Sequence, residues 1–124
     1  MDKIRSHKDL RVYQLAYEAA LEIHKISKSF PIEEKYSLTD QIRRCSRSVC
    51  SNLGEAFRKR RYPKSFILKL NDCESESNET LVWLDFSNSF GYIDDRMHKA
   101  LCDKYEHIIA MLIIMSNKPE SWSM

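Results

Sequence analysis

The sequence predicts an all-α fold, an antiparallel up-down four-helix bundle, and three observations carry that expectation. Glycine and proline are scarce, at 2 and 3 among 124 residues, so the chain has few turn residues and therefore few, long elements. Apolar residues recur at three- and four-residue steps through four separate segments, which is the period of a helix and not of a strand. The breaks between those segments are short, and short connections between long helices make consecutive helices antiparallel neighbours. Residues 1–124 read as one domain, with helices over about 9–29, 38–60, 63–90 and 94–116.

The first segment presents Val12, Ala16, Ala19, Ile23 and Phe30 on one face, with Asp9 as its expected N-cap and Pro31 as its stop. The second presents Leu38, Ile42, Cys45, Val49, Leu53 and Ala56. Ser37 is its expected cap, with Asp40 three residues on in a capping-box position. Pro63 opens the third at the first-turn position where proline is tolerated, and Phe66, Leu70, Cys73, Ser77, Leu81 and Leu84 form its stripe. Gly91 stands where a C-terminal glycine belongs. Asp94 is expected to cap the fourth helix, whose stripe is Met97, Leu101, Tyr105, Ile108, Leu112 and Met115; Asn117 and Pro119 close it.

Hydrophobic residues make up 43% and charged residues 31%, a balance that supports a folded core rather than disorder. Met1 to Arg11 is polar and charged, unlike a signal peptide. The longest apolar run, Ile108 to Met115, falls well short of the roughly 18 residues of a membrane span. The expectation is therefore a cytoplasmic protein with no membrane partner. Cys45, Cys50, Cys73 and Cys102 form no Cys-x-x-Cys pair, and in a cytoplasmic helical protein they read as reduced thiols packed as small hydrophobes.

Enzyme chemistry finds little support. The residues three before His7, His24, His98 and His107 are Ile4, Leu21, Asp95 and Lys104, so the paired Glu-x-x-His motifs of a di-iron bundle are absent. Paired zinc-ligand spacings, a Gly-x-Ser-x-Gly elbow and a phosphate loop are missing as well. The expectation is a non-enzyme without metal or cofactor.

Two features go beyond what a bundle core needs. Leu10, Tyr13, Tyr17 and Leu21 lie beside the first stripe, and Trp83, Phe86 and Phe90, with Val82, gather on the third helix away from Phe66, Leu70 and Leu84. The fourth helix is apolar all round between Ile108 and Met115. Large contiguous apolar patches are rare on monomers, so Tyr13, Tyr17, Trp83, Phe86 and Phe90 are expected at an interface of a homo-oligomer.

The second feature is charge. From Arg43 to Lys64 the chain carries Arg43, Arg44, Arg47, Arg58, Lys59, Arg60, Arg61 and Lys64 against one acid, Glu55. On a continuous helix Arg43, Arg47, Arg58 and Arg61 fall within about 60° of one another, flanked by Arg44 and Lys59, over roughly 27 Å. Such a strip can contact several phosphates of RNA or DNA and release their counterions. It could equally be a solvated face paired with Asp72, Glu76 and Glu79 of the acidic third helix. Gln41, Ser48, Asn52 and Glu55 form a further polar line bordering the core, read as a seam that fixes helix register.

Several motifs resemble one family. Asp9-Leu10-Arg11-Val12-Tyr13-Gln14-Leu15-Ala16 is similar to the opening of the four-helix-bundle proteins encoded in intervening sequences of bacterial 23S rRNA genes. Phe30 to Thr39 resembles their first connection. Gln41-Ile42-Arg43-Arg44-Cys45, then Ser48-Val49 and Asn52-Leu53-Gly54-Glu55-Ala56-Phe57-Arg58, resemble their central motif, with Gly54-Glu55-Ala56 where the family usually reads Ala-Glu-Gly. Glu79 and Gly91-Tyr92-Ile93 match later positions. The resemblance runs from about Asp9 to Met115. It implies an up-down bundle assembled as a ring-like homopentamer. It also implies kinship with the accessory variability proteins of diversity-generating retroelements, which bind nucleic acid and a reverse transcriptase. The functional expectation is a non-enzymatic, nucleic-acid-associated oligomer gripping phosphates through Arg43, Arg44, Arg47, Arg58, Lys59 and Arg61. The alternative is a protein adaptor that docks a partner on Trp83, Phe86 and Phe90.

Overall fold

The computed structural model describes residues 4–122; the first three residues of the polar Met1–Arg11 start lie outside the described residues. Four helices form, α1 (Arg11–Ser27), α2 (Leu38–Arg58), α3 (Pro63–Ser89) and α4 (Asp95–Asn117), with short 3-10 turns at His7–Asp9, Ile32–Glu34 and Pro119–Trp122. Each helix packs on its chain neighbours, and α1 closes the ring on α4. The result is an antiparallel up-down bundle. The contact between α2 and α3 is the most extensive and that between α1 and α4 the slightest.

The stripes read from the sequence meet in one core. Val12, Ala16, Ala19 and Ile23 of α1 join Ile42, Val49 and Leu53 of α2, Phe66, Leu70 and Leu84 of α3, and Leu101, Ile108 and Leu112 of α4. Leu81 and Met97 sit at its margin, half-buried against it. Leu10 belongs inside the core rather than beside it, because the turn before α1 folds its side chain inward. Two of the small polar residues buried on α3 bond their own helix, whereas the buried Ser77 hydroxyl has no partner among the described residues. Thr80 Oγ1 donates to the Glu76 carbonyl at 2.8 Å and lies 3.1 Å from Cys45 Sγ, while Ser87 Oγ donates to the Trp83 carbonyl at 2.8 Å. No disulfide links the four cysteines. Burial pushes the thiols of Cys45 and Cys50 up to about 11 and that of Cys73 up to about 12.

Several boundaries differ from the sequence expectation, each for a local reason. Asp9 does not cap α1. Its carboxylate instead accepts from the backbone N–H groups of Arg5 (2.8 Å) and Ser6 (3.1 Å), completing a capping box around a separate 3-10 turn whose N-cap is Ser6; Leu10 then opens α1 with no side-chain cap. Ser37 does occupy the N-cap position of α2, but its side chain makes no cap bond there. Its hydroxyl donates to Glu34 Oε1 at 2.6 Å, and Asp40 is drawn to Arg44 instead. The first helix ends at Ser27, and three i→i−3 bonds tighten the chain through Phe30. The second ends at Arg58, short of 60. Pro63 forces Tyr62 out of the helical region, to φ −117° and ψ 90°, so the chain leaves the helix before it.

The α3–α4 connection follows expectation. Gly91 has φ 79°, and the Tyr92 N–H reaches the Ser87 carbonyl (2.8 Å) while the Gly91 N–H reaches that of Asn88 (3.0 Å). This pair of bonds is a Schellman motif, which favours glycine at the left-handed position. Asp94 caps α4 by accepting from the Met97 N–H at 2.8 Å. The two connections at this end of the bundle touch. Tyr92 Oη donates to Glu34 Oε2 at 2.8 Å, and the Phe30 and Tyr92 rings lie 5.4 Å apart. The Ser37 and Tyr92 hydroxyls both hold the Glu34 carboxyl below its ordinary range.

Candidate nucleic-acid interface

A groove of about 580 Å³ runs between α1 and α2. Its floor and walls are Tyr13, Tyr17, Ala20 and Leu21 from α1 and Cys50, Ser51 and Gly54 from α2. Small residues at 51 and 54 keep the α2 side low. The 3-10 turn before α1 brings His7 to the same groove. His7 meets Tyr13 edge to face at 4.7 Å, and Tyr13 stacks on Tyr17 at 5.9 Å. Tyr17 is 50% exposed. Two residues assigned from sequence to a subunit interface therefore lie beside residues assigned to phosphate binding.

One end of the groove is cationic. Arg47 Nη2 donates to His24 Nδ1 at 3.0 Å. Arg43 Nε donates to Ser27 Oγ at 2.8 Å, and that hydroxyl donates in turn to the His24 carbonyl at 3.1 Å. Desolvation, with the positive charges of Arg43, Arg47 and Lys28, holds His24 below its ordinary pKa. The neutral imidazole can then accept from Arg47. His24 and Lys28 escaped the sequence reading, which took one helix at a time. Their signal was a His-x3-Lys spacing at the end of α1, and only the α1–α2 packing joins it to the arginines.

Beyond Gly54, the last groove residue on α2, the chain carries Arg58 one turn further on and then Lys59 and Arg61, all exposed. Because α2 stops at Arg58, Arg61 is not on the helical strip expected for it. Its guanidinium lies 6.0 Å from the Tyr62 ring. Arg60 folds back, donating to the Phe57 carbonyl at 2.9 Å with its guanidinium 3.7 Å from that ring. The continuous strip is thus two cationic clusters, with Arg43 and Arg58 roughly 22 Å apart along the axis.

The acidic third helix does not neutralise them. Among the described residues, no ion pair engages Arg43, Arg47, Arg58, Lys59 or Arg61. Arg44 alone of the expected binding residues is paired, at 2.9 Å to Asp40 on its own helix. The ion pair across α2 and α3 has the opposite polarity, Glu55 of α2 with Lys69 of α3 at 2.5 Å. Lys69 also donates to Asn52 Oδ1 at 3.4 Å, and Asn52 Nδ2 reaches the Ser48 carbonyl at 2.9 Å and hydroxyl at 3.0 Å. Ser48, Asn52 and Glu55 thus form a line organised by a lysine from the facing helix. This line lies at the bundle edge rather than in the core. Gln41 meets this line only at Ser48, with which it lines the α2–α3 groove beside Arg44, Arg47, Glu76 and Glu79. That groove carries both signs of charge. Burial raises the pKa of Glu76, and the Glu79 and Asp72 carboxylates add to the shift.

The aromatic residues of α3 form a continuous surface. Trp83, Phe86, Phe90 and Tyr92 follow one another at centroid spacings of 5.9, 5.8 and 5.6 Å. Phe90 is 56% exposed, and Trp83 Nε1 donates to Glu79 Oε1 at 3.3 Å. On α4, Ile113 and Ile114 are exposed as well.

Between α3 and α4 a different group converges. Asp85, His98 and Cys102 place one oxygen, one nitrogen and one sulfur within 4.8 Å of one another, with His98 Nε2 2.8 Å from Asp85 Oδ1. Burial, helped by the carboxylates of Asp85, Asp103 and Glu106, pushes the Cys102 thiol up to about 11. A Glu-x-x-His spacing does not reveal this trio, because its helical spacing is His-x3-Cys and its acid comes from another helix. No helix among the described residues is long and apolar enough to cross a membrane.

Comparison with known proteins adds two findings. Residues 8–114 match the family model described as 23S rRNA-intervening sequence protein. The fold is similar to that of a crystal structure from Bacteroides thetaiotaomicron, described as a protein with unknown function from the S23 ribosomal protein family. The TM-score is 0.77 at 28% identity, over 86% of this chain and 95% of that one. No curated protein matches the chain.

Proposed function

Because the chain belongs to the 23S rRNA-intervening sequence protein family, and a solved structure similar to it is described as of unknown function, we propose a role argued from its own surface. It is a non-enzymatic binding protein that grips the phosphate backbone of RNA or DNA along the α1–α2 groove. The observation that carries this reading is the groove's composition. Arg47, which makes no ion pair among the described residues, lines one end, the exposed Tyr17 lines the middle, and Arg58 follows one helical turn beyond Gly54 at the other end. Cationic grooves with aromatic platforms suit nucleic acid, since the charges follow the phosphates and the ring stacks on a base without selecting it. A span of roughly 22 Å covers several phosphates at about 3.4 Å of rise per nucleotide along a strand. Sequence preference is weak, because phosphate contacts position the chain and do not specify bases.

The test is binding of purified protein to a labelled structured RNA and to duplex DNA over a range of salt concentrations. Affinity is expected to fall steeply with salt, with a logarithmic slope of about −0.7 per phosphate contact on single strands. Tyr17→Ala should weaken binding of unpaired RNA by about 1–3 kcal/mol and leave that slope unchanged. Absence of binding even at low salt overturns the reading.

A second reading concerns assembly. The exposed row from Trp83 to Tyr92 supports a homo-oligomer in which α3 meets another copy of the chain, since aromatic side chains of this kind dominate contact energies. Light scattering on the native chain should give a mass above the 14.7 kDa of one chain, and Phe86→Glu, which places a charge at the centre of the row, should return it to that value. A native chain that stays monomeric across working concentrations sinks this reading. A Phe86→Glu oligomer of unchanged mass moves the contact elsewhere.

A further inference from the structure

The geometry points to a divalent metal site at the α3–α4 edge, in which Asp85, His98 and Cys102 bind a zinc-class ion and leave a fourth position for water. His98 and Cys102 stand four residues apart on α4, so their side chains rise from the same face one turn apart. Asp85 reaches them from α3. The three donor atoms already lie within 4.8 Å of one another. In a tetrahedral zinc site, bond lengths of about 2.0–2.3 Å place donors roughly 3.3–3.6 Å apart. The His98–Asp85 pair, at 2.8 Å, needs to open slightly, and the sulfur, within 4.8 Å of both, needs to close by at most about 1.5 Å. Both shifts are within side-chain rotation.

The donor set decides the class of ion. Calcium and magnesium take oxygen ligands, whereas a thiolate with an imidazole and a carboxylate suits zinc and its neighbours. The surroundings favour a cation too. Among the described residues no lysine or arginine pairs with Asp85, whose one ion-pair partner is His98 itself. The nearby Lys99 is engaged by Asp103 at 2.9 Å. Both α4 donors are half-buried, so packing holds them in place. An ion here would staple α3 to α4 across the Gly91 connection, on the opposite pair of helices from the groove of α1 and α2.

The experiment uses the full chain, reduced and freed of metal by chelation, titrated with cobalt(II). One equivalent per chain should produce thiolate-to-cobalt charge-transfer absorption and the intense d–d bands of a tetrahedral site, and zinc should displace it. Cys102→Ser should abolish the charge-transfer band. Cys50→Ser, which removes the other half-buried thiol, should leave it intact. Asp85→Asn and His98→Gln, at positions the core does not need, should each weaken cobalt binding at least about tenfold, since even outer-shell partners carry roughly 10–100-fold. Zinc should also raise the Tm of the native chain and leave that of His98→Gln unmoved, because an ion that binds the folded state stabilises it. Absence of a charge-transfer band at one equivalent overturns the site, and so does a band that survives Cys102→Ser with helicity unchanged.

Discussion

Arg43→Glu combined with Arg47→Glu is expected to cut nucleic-acid affinity roughly a hundredfold or more at low salt. Two charge-assisted contacts are lost, each worth about a factor of ten or more, and two repulsions take their place. These arginines form the part of the basic surface with the most local support. Arg43 is anchored on Ser27 and Arg47 on His24, which fixes their direction before a phosphate arrives and lowers the ordering cost of binding. Neither belongs to the core, so the fold should persist. Ser27 keeps its bond to the His24 carbonyl when Arg43 is gone. Fluorescence anisotropy against salt is the appropriate measurement. Besides weaker binding, the logarithmic slope should become shallower by about two contacts. Unchanged affinity would place the nucleic acid elsewhere. Arg44→Glu makes a useful contrast, because that arginine is already held by Asp40.

Phe66→Ala is expected to destabilise the fold by about 3–5 kcal/mol. Phe66 is among the largest side chains with almost no exposure, at 1%. It sits in the first turn of α3, where its N–H bonds the Tyr62 carbonyl at 2.9 Å. That turn is already constrained by Pro63, so the backbone has little freedom to collapse into the vacated space, and cost rises with the cavity that remains. Chemical denaturation followed by circular dichroism should show a lower midpoint with a similar slope. A change below about 1 kcal/mol would mean that the site repacks, against the close packing expected of such a core.

The bundle was legible because its signals are local and periodic. The stripes of α1 and α2 are buried residue for residue as their spacing implies. Gly91 and Asp94 end one helix and begin the next as their chemistry dictates. What the sequence left hidden depended on competition or on packing. Asp9 and Ser37 are both sound caps in isolation, yet Ser6 and Glu34 offered closer partners. Arg61 lay on a wheel that assumed the helix would continue, whereas the proline two residues later ended it. The candidate site was half visible. The arginines of α2 could be counted along one helix, but the company of His24, Lys28 and Tyr17 arises only when α1 lies against α2. The trio of Asp85, His98 and Cys102 needed a third dimension in the same way.

The unequal ring of helix contacts has a consequence for how the native state breathes. A closed ring of four can open at one seam and remain a three-sided stack. The thinnest seam is that between α1 and α4, crossed by the ion pair of Glu22 with Lys104 at 2.8 Å. The helix whose detachment sacrifices the least packing is therefore α1, and partial opening of a protein follows its least-buried cooperative unit. A strand of nucleic acid lying along the α1–α2 groove would clamp that same helix. Occupancy would then be felt as slower breathing at the opposite seam, where the ligand touches nothing.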